Sequence, residues 1–158
     1  MYAAAPLGSA VEWIPAAWAN GGHVIEAPQI VTTSAVRAAV LPLFVRRDAI
    51  QAEMDAGIRE LTAAAQAQGI AIVGPPVDAP VAPAGRMTPG ELPAATVART
   101  IYTGPYESLG AGWHEFMDWI EAAGHTAGPH LWERYLTGPE SPEPPELWRT
   151  ELNRPLLG

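Results

Sequence analysis

The sequence predicts an α+β fold in which the order strand, helix, strand occurs twice, laying two helices over one antiparallel sheet. Two observations carry this reading. Each half holds one stretch with apolar residues at helical spacing, closed by a glycine, and each such stretch is flanked by short runs that read as strands. A length of 158 residues suits one domain with a real core. With 48% apolar and 16% charged residues, the chain can bury enough surface to offset the entropy of ordering itself.

Residues 1–24 are rich in small residues, carry Trp13 and Trp18, and run into an Asn-Gly-Gly turn signal, so they read as an N-terminal extension. From 25 to 45, "IEAPQIVTTSAVRAAVLPLFV" is β-branched and interrupted by Pro28 and Pro42, which suits a strand with edge-like breaks. "RRDAIQAEMDAGIRELTAAAQAQG" then places Ile50, Met54, Ile58, Leu61 and Ala65 on one helical stripe, with Gly69 as the stop. "IAIVG" follows as a short apolar strand. Residues 74–93 are dense in proline and glycine and read as a connector with at most a scrap of strand.

In the second half "AATVARTIYTG" alternates as a strand, and Gly104 and Pro105 stand at the cap and first-turn positions of a helix. Leu109, Trp113, Phe116 and Ile120 form its buried stripe and Gly124 ends it. "PHLWERYL" is the next strand, "TGPESPEPPE" a proline-rich loop and "LWRTELNRPL" the last strand. The two repeats are bounded as a first module over 25–82 and a second over 83–158.

Composition removes several classes of function. The formal net charge is −8 and all nine basic residues are arginines, so no basic footprint exists to displace counterions from phosphates, and no nucleic-acid partner is expected. There is no cysteine, which excludes disulfides and thiolate chemistry, and the four histidines show no ligand spacing; no metal or cofactor is expected. No segment approaches the ~18 apolar residues of a membrane span, and the opening residues lack a positively charged leader, so the expected location is the cytoplasm, without membrane contact. The serines lie in no nucleophile elbow, and no Gly-rich phosphate loop is present. Oligomeric state is open.

One stretch departs from ordinary strand composition. In "HLWERYL" residues two apart share a face, so Leu131, Glu133 and Tyr135 point one way and Trp132, Arg134 and Leu136 the other. Spacing alone leaves two readings open for Glu133. It is either half of a cross-strand ion pair on an exposed sheet, worth ~0–1 kcal/mol, or a carboxylate in an apolar hollow, where stranding costs several kcal/mol unless a guest or proton relieves it. Partial burial in the second case raises a carboxyl pKa.

"YTGPYESLGAGWHEFMDWIEAAG", "LWERYL" and "WRTELNRPL" resemble the GyrI-like family, the effector-binding domain found in drug-sensing transcription regulators. The likeness runs from about residue 26 to 156 and is most specific at Gly104-Pro105-Tyr106, at Glu133 and Tyr135, and at Arg149 to Leu152. The resemblance implies two tandem strand-helix-strand-strand modules related by a pseudo-twofold, with a ligand cleft between them. It implies a small-molecule ligand, hydrophobic and often a cationic aromatic drug or toxin, with Glu133 as the central acid. The walls are then expected from Tyr135, Tyr102 and Trp113, with Met54 and Ile58 closing the cleft from the first module. The resemblance also implies an alternative, because some stand-alone members hydrolyse strained, cyclopropane-type rings of genotoxic natural products with a glutamate and a tyrosine; Glu133 and Tyr135 would then be catalytic. Relative to the family pattern, the connector at 74–93 is short and residues 1–24 are additional; "VEWIP" or "GGHVIEA" is expected to supply the missing strand.

Overall fold

The computed structural model describes residues 24–42, 46, 49–69, 82–139 and 141–158. In chain order these form β1 (Gln29–Thr33), β2 (Val36–Val40), α1 (Ile50–Ala67), β3 (Thr88–Leu92), β4 (Ala95–Thr103), α2 (Leu109–Ala122), β5 (Thr126–Ala127), β6 (Trp132–Thr137) and β7 (Arg149–Leu157), with 3-10 turns at Tyr106–Ser108 and Pro145–Leu147. Helices and antiparallel sheets make the chain α+β, the class its sequence predicts. The described residues divide into two compact units, one of residues 34–94 and one of 24–33 with 95–158.

In the unit of residues 34–94, β2 and β3 pair antiparallel from Val36↔Leu92 to Val40↔Thr88. The stretch 74–93, read as a proline-rich connector, therefore carries a full strand. Pro89 stands opposite Ala39 in a sheet that has two strands among the described residues, where a missing N–H is tolerated at an edge. The buried line of α1 passes through Gly57 and Ala65, while Ile58, assigned to the stripe by its spacing, is 52% exposed. After α1, Gly69 takes a left-handed φ of 67° and ends the helix where the sequence places its stop. Arg86 binds Glu60 through Nε at 3.0 Å and a terminal nitrogen at 2.6 Å, which lowers the Glu60 carboxyl below its usual range. The "IAIVG" strand and the "VEWIP" segment lie outside the described residues.

The second unit is built on a sheet of order β1-β4-β7-β5, with β6 also pairing to β7. The single interrupted strand expected over 25–45 is instead two strands in different sheets: β1 pairs with β4, and β2 with β3. Within "GGHVIEA", Ile25 bridges Tyr102 and Glu26 N–H donates to the Ile101 carbonyl at 2.8 Å, so this segment joins the β4 edge of the second unit.

Helix α2 covers one face of that sheet. Its Phe116, Trp119 and Ile120 pack with Ala98 and Tyr102 of β4, Leu152 of β7 and Ile25 into one core cluster. Complete burial of each large apolar side chain stabilises by about 1.5–3 kcal/mol, so this cluster fixes the helix against the sheet. The helix starts later than Gly104-Pro105 suggests: Pro105 leads into the 3-10 turn, and α2 begins at Leu109. Its far end agrees with expectation, since Gly124, at a φ of 76°, donates its N–H to Glu121 and His125 donates to Ile120.

Tyr102 shows why two glycines are needed here. A Cβ on Gly112 would stand 2.6 Å from the Tyr102 ring carbon Cδ2, and one on Gly104 would stand 2.5 Å from the phenol oxygen. The ring lies in the space these missing side chains leave, 2% exposed.

Candidate functional site

Strand β6 pairs with β7 in a register that sets Glu133 opposite Leu152, and Tyr135 opposite Thr150, before a bulge between Tyr135 and Thr137. Leu152 and Thr150 in turn stand opposite Thr100 and Tyr102 of β4. Directly opposed residues share a face, so Glu133 and Tyr135 lie on the face that carries Tyr102 and Leu152, the face packed by α2. The alternation read from "HLWERYL" thus holds, and the acid faces the helix.

There the Trp113 indole N–H donates to Glu133 Oε1 at 2.6 Å, and the Tyr135 hydroxyl donates to Oε2 at 2.7 Å. Each carboxylate oxygen receives one hydrogen bond from a neutral aromatic donor. Both bonds are short. Among the described residues no cation pairs with Glu133. Its neighbour Arg134 points the other way, with a guanidinium nitrogen 3.7 Å from Glu151. Arg99 also reaches Glu151 at 3.5 Å, and donates to Asn153 at 2.7 Å, so that opposite face holds its own network of opposite charges. The ion-pair reading of Glu133 is therefore not realised.

Further rings extend from this pair. Tyr106, in the 3-10 turn before α2, meets Tyr135 edge to face with centroids 5.4 Å apart, and lies 5.0 Å from Trp148 at a 45° tilt. Trp113 also stands 5.8 Å from Phe116 of the core. Tyr135 is 36% exposed, so the group reaches the surface of the unit. Burial, and then the bond and charge of Glu133, hold the Tyr135 phenol well above the usual tyrosine range, because each favours the protonated form. A half-buried carboxylate bonded to two aromatic side chains, one of which continues into the rings of Tyr106 and Trp148, can receive a cation, or hold and move a proton through the phenol it is bonded to.

Three of the residues singled out in the sequence, Glu133, Tyr135 and Trp113, come together. Tyr102 does not join them. Its hydroxyl donates to the Pro105 carbonyl at 2.9 Å, its ring fills the space beside Gly104 and Gly112, and burial raises its phenol pKa. It is a core residue beneath the site rather than a wall of it. Ile58 lies on α1 of the first unit, exposed, and the Met54 side chain lies outside the described residues. Tyr106 and Trp148, neither of them among the site residues expected from the sequence, also belong to the ring group. The only signal for Tyr106 was its place directly after Gly104-Pro105; Trp148, before β7, had none.

A model of the family described as GyrI-like small molecule binding domain matches residues 70–156, more than half of the chain. No curated protein matches. Among solved structures, a cryo-EM structure of an EcmrR–DNA complex superposes with a TM-score of 0.67 at 16% identity, covering 84% of this chain and 57% of that one. A crystal structure of a hydrolase from Listeria innocua gives a TM-score of 0.41 at 14% identity, covering 80% and 64%. The chain thus spans less than two thirds of either, and the first likeness is one of fold.

Proposed function

The chain belongs to the GyrI-like small molecule binding domain family, and from that premise we propose that it takes up flat, hydrophobic, cationic organic molecules such as drugs or toxins, using Glu133 as the counter-charge. One observation carries the reading. The Glu133 carboxylate is held at both oxygens by neutral donors, Trp113 and Tyr135, while no positive group among the described residues compensates its charge. Such a carboxylate is pre-positioned and electrostatically incomplete, and an aromatic cation completes it while stacking on the rings of Tyr135, Tyr106 and Trp148. Each ring contact of this kind is worth ~0.5–2 kcal/mol. The test is a quenching screen of the tryptophans with paired compounds of equal shape, one charged and one neutral. Preference for the cation supports the proposal, and equal affinity for both members of each pair sinks it.

A second reading rests on the 2.7 Å bond between the Tyr135 hydroxyl and Glu133. An acid and a phenol in contact can deliver water to, and a proton onto, an electrophilic strained ring, so hydrolysis of cyclopropane-type alkylators is the alternative. Product analysis on each compound that binds separates the two: ring-opened product made by the wild type and lost in Glu133→Gln identifies an enzyme, and recovery of intact ligand identifies a binder.

A further inference from the structure

Thr150 is fully buried, and its hydroxyl is among the few buried side-chain polar groups with no hydrogen-bond partner among the described residues. More than nine in ten buried polar groups in folded proteins are paired, so an orphan of this kind requires a reason. Its surroundings are defined by the sheet. On β7, Thr150 stands directly opposite Tyr102 of β4 on one side and Tyr135 of β6 on the other. Its side chain therefore shares their face, one residue pair along from Glu133 and Leu152. Both flanking phenols are spoken for, Tyr102 by the Pro105 carbonyl and Tyr135 by the Glu133 carboxylate. The other orphans lie elsewhere: Trp119 is in the α2 core cluster, and Arg154 stands opposite Ala98, outside the paired stretch of β6. Valine has the same shape and a higher preference for strands, so packing gives no reason for a hydroxyl at position 150.

We infer that Thr150 is a specificity-determining residue of the Glu133 site, its hydroxyl forming the floor of that site and taking a hydrogen bond from a donor group, such as an amine, carried by the bound cation. The inference rests on the binding reading above and adds to it what the ligand must carry besides charge. Access runs through Tyr135. Tyr135 is the β6 residue directly opposite Thr150, and its side chain is held by one bond to Glu133 Oε2 and an edge contact with Tyr106. A cationic guest that takes over Oε2 releases the phenol, and the same displacement that satisfies the carboxylate exposes the hydroxyl beneath. Thr150 thus reads a second polar group only after the charge has been recognised, which favours amine-bearing cations over bare ones.

The experiment compares two flat monocations by titration calorimetry at fixed ionic strength: proflavine, which carries ring amines, and N-methylacridinium, which carries none. Wild type, Thr150→Val, Thr150→Ser and Glu133→Gln are each titrated, and each is melted without dye. Loss of one hydrogen bond lowers affinity about fivefold, so Thr150→Val is expected to weaken proflavine about fivefold more than it weakens N-methylacridinium, with Thr150→Ser close to wild type. Because it removes an orphan group, Thr150→Val is also expected to raise the melting temperature by roughly 2–4 °C. An equal effect on both dyes, or none, overturns the assignment of Thr150; a lowered melting temperature does so too, since it means the hydroxyl has a structural partner. If Glu133→Gln still weakens both dyes in that case, the binding reading stands without Thr150. If neither dye binds the wild type, or both ignore Glu133→Gln, the binding reading falls and this inference falls with it.

Discussion

Glu133→Gln changes one atom type and little else, and the structure indicates how the protein absorbs it. The carboxylate accepts from two donors, the indole N–H of Trp113 and the hydroxyl of Tyr135. An indole can only donate, so the carbonyl of the substituted amide must turn toward Trp113 and its NH2 toward Tyr135. A phenol hydroxyl both donates and accepts, so it can rotate to receive that NH2. Both contacts survive as neutral bonds, and the change costs about 0.5–1.5 kcal/mol of stability, a fall in melting temperature of a few degrees. Binding of a cation is affected far more. A unit charge ~4 Å from the carboxylate at an effective dielectric of about 20 gains ~4 kcal/mol. Discounting by about half for solvent at a partly exposed site leaves ~2 kcal/mol, or roughly thirtyfold in Kd. Calorimetric titration of N-methylacridinium and its uncharged analogue N-methylacridone measures this directly. The cation is expected to lose about thirtyfold on Glu133→Gln and the neutral compound less than about threefold. If both lose equally, or the cation loses nothing, Glu133 is not a counter-charge.

Three further outcomes follow from the same contacts. Trp113→Phe keeps a ring against Phe116 but removes the donor at 2.6 Å from Glu133; if the indole acts through its N–H, Trp113→Phe and Trp113→Leu weaken cation binding alike, by about tenfold, whereas retention by the Phe variant would assign Trp113 to stacking. The Tyr135 phenol is raised in the folded protein above its unfolded value of about 10, so the unfolded chain loses that proton first, and its contribution to stability is complete below about pH 10 and declines as pH rises beyond it. Denaturant melts of wild type and Tyr135→Phe from pH 9 to 11.5 should diverge only above about pH 10, and parallel curves throughout would show that the phenol is not held this way. Gly112→Ala drives a methyl to 2.6 Å from the Tyr102 ring, and this overpacking should cost about 1–3 kcal/mol, read as a melting temperature several degrees lower; an unchanged value would mean that α2 does not press on Tyr102 as closely as described.

The parts of the site legible in the sequence are those fixed by local geometry. A period of two puts Glu133 and Tyr135 on one face whatever surrounds the strand, and a helical stripe that includes Leu109 and Phe116 turns Trp113 toward the sheet. Alternation alone, however, does not say which residues of a face line a site and which lie beneath a helix. Tyr102 obeys the same period as Tyr135 and shares its face, but it is on β4 under α2, where Gly104 and Gly112 leave a ring-sized space. The two glycines were visible; that they flank one ring in space was not. Pro89 illustrates the reverse error, because proline density argues against a central strand but not against a strand such as β3, which pairs on one side alone among the described residues. Likewise no residue signals that the chain leaves one sheet at Thr33 and enters another at Val36, since both segments are equally suited to strands.

What joins the legible pieces is a contact between elements distant in the fold's logic: a donor from a helix meeting an acid from a strand 20 residues later. That contact also bears on the choice between binder and enzyme. Each Glu133 oxygen already accepts one protein hydrogen bond, which leaves further lone pairs on both for a guest or a water. A general base acting on water would take the water proton on a free lone pair while the phenol turns its own proton from Oε2 to the atom released as the ring opens, so Tyr135→Phe should impair turnover by removing that proton donor. If the guest instead takes over Oε2, as inferred for the Thr150 site, the phenol must yield, and Tyr135→Phe, which frees Oε2 beforehand, should leave cation affinity equal or improved within about threefold. The same substitution thus drives the two readings in opposite directions. A variant that loses cation affinity more than about tenfold would mean that Tyr135 holds the ligand itself rather than keeping its place.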